Sequence, residues 1–169
     1  MPAGAIDHTA KTITSTHHQL HLDYEHGVLT INAPKAQGAS GNLKSLGSIS
    51  LADLSLQSNL ELGHFVLVSL DDRPIHSSAR MLLQVMSEEQ NSGWQTEPTS
   101  DGKLRILSLG RDPWQIKSLN GSLRLLRPDA DRIKVTALDP NGTALADLSS
   151  AGEIKLRPDT IYYLLQLKE

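Results

Sequence analysis

Apolar side chains recur at every second position along most of this chain, and Gly, Asn, Asp or Pro breaks the pattern about every eight to twelve residues. A period of two belongs to a strand with one face in a core and the other in water. The pattern therefore predicts many short antiparallel strands and no sustained helix. Leu20, Leu22 and Tyr24 run through His26-Gly27 into Val28, Leu29, Thr30 and Ile31, which reads as an opening hairpin. Ala33-Pro34 and Gln37–Gly41 read as a loop, and Ile49–Leu51 and Leu54–Leu56 as short strands. His64–Leu70 is continuous and rich in β-branched residues, as an interior strand is, and Asp71-Asp72-Arg73-Pro74 ends it.

Ser77–Met86 has helical propensity, but its length and flanking strands favour a buried central strand. Asn91-Ser92-Gly93 reads as a turn, Trp94–Thr96 as the strand after it, and Leu104–Leu109 as a strand ended by Gly110. Trp114–Lys117 and Gly121–Leu125 alternate on either side of Asn120-Gly121, the strongest two-residue hairpin signal in the chain. Ile133–Leu138 stops at the turn Asp139-Pro140-Asn141-Gly142, and Glu153–Leu156 and Ile161–Leu167 complete the series. Roughly a dozen short strands with evenly spaced turns predict one all-β domain, an antiparallel, jelly-roll-like β-sandwich over residues 19–169. Residues 1–18 read as a flexible N-terminal segment or linker.

At 169 residues the chain is long enough to bury a single core. It has no Cys, so packing and hydrogen bonds must hold it together. With one Phe, two Trp and three Tyr, the interior must be aliphatic, and each aromatic side chain carries information about core or ligand. Net charge is -3 with both signs interspersed, which argues against a nucleic-acid partner. No apolar run approaches the ~20 residues of a membrane-spanning helix, so no membrane partner is expected. Met1–Thr16 is polar, without the apolar stretch of a signal peptide, and Met1-Pro2-Ala3-Gly4 reads as a start placed ahead of a domain boundary.

The sequence offers no catalytic signature. Asp71, Asp72, Asp101, Asp112, Asp139 and Asp159 all keep the company of Gly, Pro or Arg that turn-forming Asp keeps, not that of a facing carboxylate pair. Neither a nucleophile elbow nor a phosphate-binding glycine loop occurs. His8, His17, His18, His21 and His26 crowd the N-terminal region, where His18 with Asp23 or His21 with Glu25 are the imaginable ligand pairs. His17 and His21 lie too far apart on a strand to share one ion, so surface histidines and no metal site are expected. The Asp139–Gly142 turn lacks the remaining ligands of a calcium loop, and no cofactor is expected. A structural Ca²⁺ held by backbone carbonyls would leave little trace in the sequence.

Trp94 and Trp114 each follow a turn signal, where an indole can be half exposed and stack on the C–H face of a sugar. Arg111, Asp112, Gln95 and Gln115 are near them in sequence and supply planar hydrogen-bonding groups for hydroxyls. The ligand-binding candidates are thus Trp94, Trp114, Arg111, Asp112, Gln95 and Tyr24. The competing expectation is that both indoles plug the ends of the aliphatic core. Tyr162 and Tyr163 are adjacent on a strand, so one of them must point outward.

Phe65–Ile75, Ser78–Val85 and Asn91–Trp94 resemble, in order and spacing, a β-sandwich module that follows the catalytic barrel in bacterial glycoside hydrolases. Gly110–Trp114 and Ala137–Gly142 match its later turns, and Asp23–Gly38 its opening hairpin and loop, so the resemblance spans about Leu20 to Leu165. It implies a non-catalytic, carbohydrate-binding accessory module of an exported polysaccharide-degrading enzyme, working outside the cell or in the periplasm. Its implied partners are a polysaccharide or oligosaccharide and the parent's catalytic domain. Trp94 stands where the module carries a smaller or aliphatic residue, which favours a stacking role here. The alternative function is a spacer that packs on the catalytic barrel through an apolar patch around Leu43, Leu46 and Leu60 and binds no sugar. A weaker third is a secreted domain that binds another protein at a sheet edge.

Overall fold

The computed structural model describes residues 5–168. The chain begins with β1 (Ile6–Asp7), β2 (Thr12–Thr14), β3 (Leu20–Asp23), β4 (Val28–Ala33) and β5 (Ala36–Gly41). A one-turn helix, α1 (Leu43–Leu46), precedes β6 (Ser48–Ser50), β7 (Leu54–Gln57), β8 (Gly63–Ser69) and β9 (Arg80–Ser87). Two long strands follow, β10 (Glu89–Pro98) and β11 (Leu104–Ile116), then β12 (Ser122–Leu125), β13 (Ile133–Leu138) and β14 (Ala144–Ser150). β15 (Ile154–Lys155) and β16 (Tyr162–Leu167) end the series.

The fold is all-β and antiparallel, in the form of a β-sandwich. Ten strands form one sheet in the order β1-β2-β3-β4-β5-β8-β9-β16-β13-β14, four form a second in the order β15-β12-β7-β6, and β10 and β11 pair only with each other. The core lies between the two larger sheets and follows the period of two. Phe65 and Leu67 of β8 face Val85 and Leu83 of β9; Leu83 and Met81 face Tyr163 and Leu165 of β16; these face Ala137 and Val135 of β13. All are at or near zero exposure, and they form one cluster with Leu54, Leu56, Leu123 and Leu125 of the smaller sheet. Side chains one position out of phase face away from this core and are half exposed. Ser77–Met86 thus supplies the predicted central strand, because each second side chain finds an apolar partner on both neighbouring strands. Of the adjacent tyrosines, Tyr163 is buried and its hydroxyl accepts the Arg157 amide at 2.8 Å, while Tyr162 points outward.

Several local expectations are corrected. Gln37–Gly41 is not a loop but most of β5, paired on both sides. Its small residues are there because β5 lies close to β8: a Cβ on Gly38 would collide with the Phe65 carbonyl. Asn120-Gly121 does not make a hairpin, since β11 pairs with β10 and β12 pairs with β7 and β15. Instead the Asn120 side chain accepts the Asn59 amide at 3.0 Å, its carbonyl accepts the Ser58 hydroxyl at 2.8 Å, and Gly121 (φ 132°) passes against the Gln57 carbonyl. Edge strand β14 has no counterpart in the sequence reading, because its side chains are largely exposed and show no apolar alternation. Of the residues read as a flexible segment or linker, 1–4 lie outside the described residues, and 5–18 carry β1 and β2, which extend the sheet beyond β3.

The apolar patch expected around Leu43, Leu46 and Leu60 does not exist as a surface. Leu43 and Leu60 are buried in the core and Leu46 packs against it. Close packing also fixes their position: a Cβ on Gly63 would stand 2.9 Å from Leu43 and 3.0 Å from Leu60.

Candidate functional site

β9 does not end in a turn. The chain runs on through Glu88 into β10, leaves the sandwich as a two-stranded ribbon, reverses at residues 99–103 and returns along β11. At a strand's rise per residue the ribbon is about 30 Å long. Its base is fixed to the body: Ile116 packs on the core, the Ser87 hydroxyl donates to the Lys117 carbonyl, and the Lys117 amide donates to the Glu88 carbonyl at 2.9 Å.

The turns expected at Asn91–Gly93 and Gly110 are bulges inside this ribbon, so neither Trp94 nor Trp114 begins a strand beside a loop. Asn91 pairs with Trp114 and Ser92 with Arg111, which leaves Asp112 and Pro113 without partners in β10. Gly93 (φ 77°) and Gly110 (φ 68°) lie against each other across the ribbon, both in the left-handed region that glycine tolerates. Side chains three apart on a regular strand point to opposite faces, but a bulge shifts that phase. Asn91, Trp94 and Trp114 accordingly line one concavity of 310 Å³ together with Glu89 and Gln90. The Asn91 amide donates to the Leu109 carbonyl at 2.9 Å and the Ser92 hydroxyl to the Pro113 carbonyl at 2.8 Å, which hold the bulged rungs together.

Within this site Trp114 is 63% exposed and Trp94 half-buried. One indole is thus an open platform and the other a wall. The two candidates are brought together, and the competing expectation of indoles plugging the core does not describe them. Arg111 and Asp112 are exposed in the bulged stretch beside Trp114, with an Asp112–Pro113 cis peptide. Gln115 opposes Gln90, whereas Gln95 opposes Ser108 one position out of phase with Trp94, so it faces away. Tyr24 sits in the turn between β3 and β4; by register that end of the sheet is four strands from the end of β9, about 19 Å. Gln95 and Tyr24 therefore do not join the concavity.

Glu89, Gln90 and Asn91 are the lining residues that sequence reasoning missed. Only the knowledge that residues 91 and 114 are opposite one another could have found them. Glu89 also borders a broader hollow on the outer face of the ten-stranded sheet, with Leu62, His64, Gln84, Met86 and Glu88. A third hollow, among Ser55, Gln57, Ser122, Arg124 and Glu153, has no aromatic platform.

The remaining candidates serve structure. Asp139 accepts the Asn141 and Thr143 amides at 2.8 Å, Asp101 pairs with Lys103, Asp72 with Lys35 and Asp159 with Arg157. Asp71 accepts the Ser78 hydroxyl at 2.7 Å, the Ala79 amide at 2.7 Å and the Ser69 hydroxyl at 2.9 Å, and these bonds hold its carboxyl far below the usual carboxylate range. The histidines pair otherwise than imagined. The His26 backbone amide donates to Asp23 at 2.9 Å and its ring bonds the same carboxyl at 2.7 Å, together lowering that carboxyl, while His21 bonds Thr14 at 3.0 Å and Glu25 takes Lys11. Among the described residues no three of His, Asp and Glu gather as metal ligands would, and no helix is long and apolar enough to cross a membrane.

Compared with protein families, characterised proteins and solved structures, the chain matches none at a significant level.

Proposed function

We propose that this chain is a non-catalytic carbohydrate-binding module of a polysaccharide-degrading glycoside hydrolase, exported with its parent, and that Trp94 and Trp114 take the sugar. The observation that carries this reading is the convergence of both indoles on one concavity whose other walls are Glu89, Gln90 and Asn91. A pyranose presents an apolar C–H face and an equatorial rim of hydroxyls. An exposed indole stacks on the first, and amide and carboxylate groups set beside it pair with the second. A second, broader hollow on the sheet side shares Glu89 with this concavity, and in this reading it is where further rings of a sugar chain would lie.

A shallow site of this kind, with few stacking contacts and hydrogen bonds shared with water, binds with Kd of about 10 to 1000 μM. Affinity electrophoresis across a panel of plant and algal polysaccharides is expected to find at least one that retards the protein. Calorimetry with oligosaccharides of that glycan should then give a Kd in this range. Trp114→Ala and Trp94→Ala should each weaken it by about tenfold or more, equivalent to about 1.4 kcal/mol. Migration unaltered by every glycan would end the proposal, and so would retardation that survives both substitutions.

A further inference from the structure

Beyond the concavity, the ribbon has two unlike faces. Trp94, Thr96 and Pro98 alternate along β10 and oppose Leu109, Ile106 and Leu104; the register shift that leaves Leu107 without a partner keeps Leu109 in phase with Ile106, so these six side chains share one face. The other face carries Gln95 opposite Ser108 and Glu97 ion-paired with Arg105. Leu104, Ile106 and Leu109 are 66%, 50% and 64% exposed. The face presents an apolar surface on the order of 500 Å², in the range of the largest patch on a single monomer, which often serves a function. It also lies on a two-stranded ribbon paired with no other sheet, an arrangement that is at best marginally stable in water without a covering layer.

We infer that this face, from Leu104 to Leu109, is a self-association surface that packs on the same face of a second copy of the chain. The face holds no charged residue, so two copies meet without repulsion. It is also self-complementary about a two-fold axis near Ile106, which sets Leu104 of each copy toward Leu109 of the other. Two such faces together bury about 1,000 Å², the threshold of a specific interface and the range of a weak, reversible dimer. The ribbon's edges are poor alternatives for pairing, because Pro98, Pro113 and two register shifts interrupt their backbone donors. Trp114, Asn91 and Glu89 lie toward the base, outside the paired stretch, whereas Trp94 opposes Leu109 at its inner end, so association and sugar compete for that one indole.

Sedimentation velocity from about 5 to 500 μM tests this directly. The expected result is a single reversible boundary whose mass rises with concentration toward twice that of the chain, with a dimer Kd of about 10 to 100 μM. Ile106→Lys and Leu109→Lys place like charges opposite one another at the two-fold. Each is expected to raise that Kd at least tenfold while leaving circular dichroism and melting temperature unchanged, because both side chains are half exposed or more. A monomer throughout the range overturns the inference. A dimer that persists in both lysine variants overturns it equally, since another surface then holds the copies together.

Discussion

Replacing Gly38 with valine is expected to unfold this domain or leave it with a melting temperature lower by 10 °C or more. Gly38 lies in β5 between β4 and β8, and a Cβ built on it falls on the Phe65 carbonyl oxygen, with the Val66 Cα only 2.9 Å away. The obstacle is backbone, which cannot rotate aside as a side chain can. Accommodating it means separating β5 from β8 at the rung next to Phe65, which is fully buried. Losses of this kind reach about 4–5 kcal/mol, a large share of the 5–15 kcal/mol that separates folded from unfolded domains. Gly102→Ala provides the comparison. Gly102 is also a glycine, at φ 78° in the ribbon's end turn, with no atom near its missing Cβ, so the cost there is about 1 kcal/mol of backbone preference alone. Thermal melts of the two variants should therefore differ widely, and equal melting temperatures would contradict the close approach of β5 to β8.

Asp71→Ala should produce the next largest loss, about 3 kcal/mol at neutral pH, or some 6–12 °C in melting temperature for a chain of this size. The carboxylate ties the end of β8 to the start of β9 by accepting from Ser69, Ser78 and the Ala79 amide. Ser78 is fully buried, so its hydroxyl loses a charged acceptor that water cannot replace. The same bonds make the effect depend on pH. Folding lowers the Asp71 pKa, chiefly through the Ser78 hydroxyl, so its contribution is complete above the unfolded value of about 3.9 and is lost as pH falls below it. Denaturant titrations of parent and variant at pH 7 and at pH 2.5 should therefore show a gap that narrows in acid. A gap of constant size would mean that the anion is not what the network holds.

Most strands were legible from alternation, because a side chain that points inward must be apolar wherever the strand has a core beneath it. Phe65, Leu67, Met81, Leu83, Val85, Ile133, Val135 and Leu165 all occupy core positions inside the expected strands. Alternation failed where the core was absent or the space too small. β14 lies at the exposed edge and β5 is squeezed between its neighbours, so one has no reason to be apolar and the other no room. Asn120-Gly121 misled for a different reason. A dipeptide fixes the local backbone but not which strands lie on either side, and the Ser58–Asn59 segment, distant in sequence, recruits it instead.

Of the candidate site, Trp94 and Trp114 could be named from the sequence, since each is a large aromatic outside any continuous apolar run. Their meeting could not. It depends on Asn91 standing opposite Trp114 and on two glycines and an unpaired Asp112-Pro113 that shift the phase of the ribbon. The sequence by itself determined that the chain is a sandwich of antiparallel strands with an aliphatic interior, because burial acts on each residue through its own side chain. Only the tertiary structure decided that residues 89–116 leave that sandwich as a ribbon, which brings two indoles into one groove and leaves an apolar face uncovered. Strand register is a relation between segments far apart in the chain, and no local pattern specifies it.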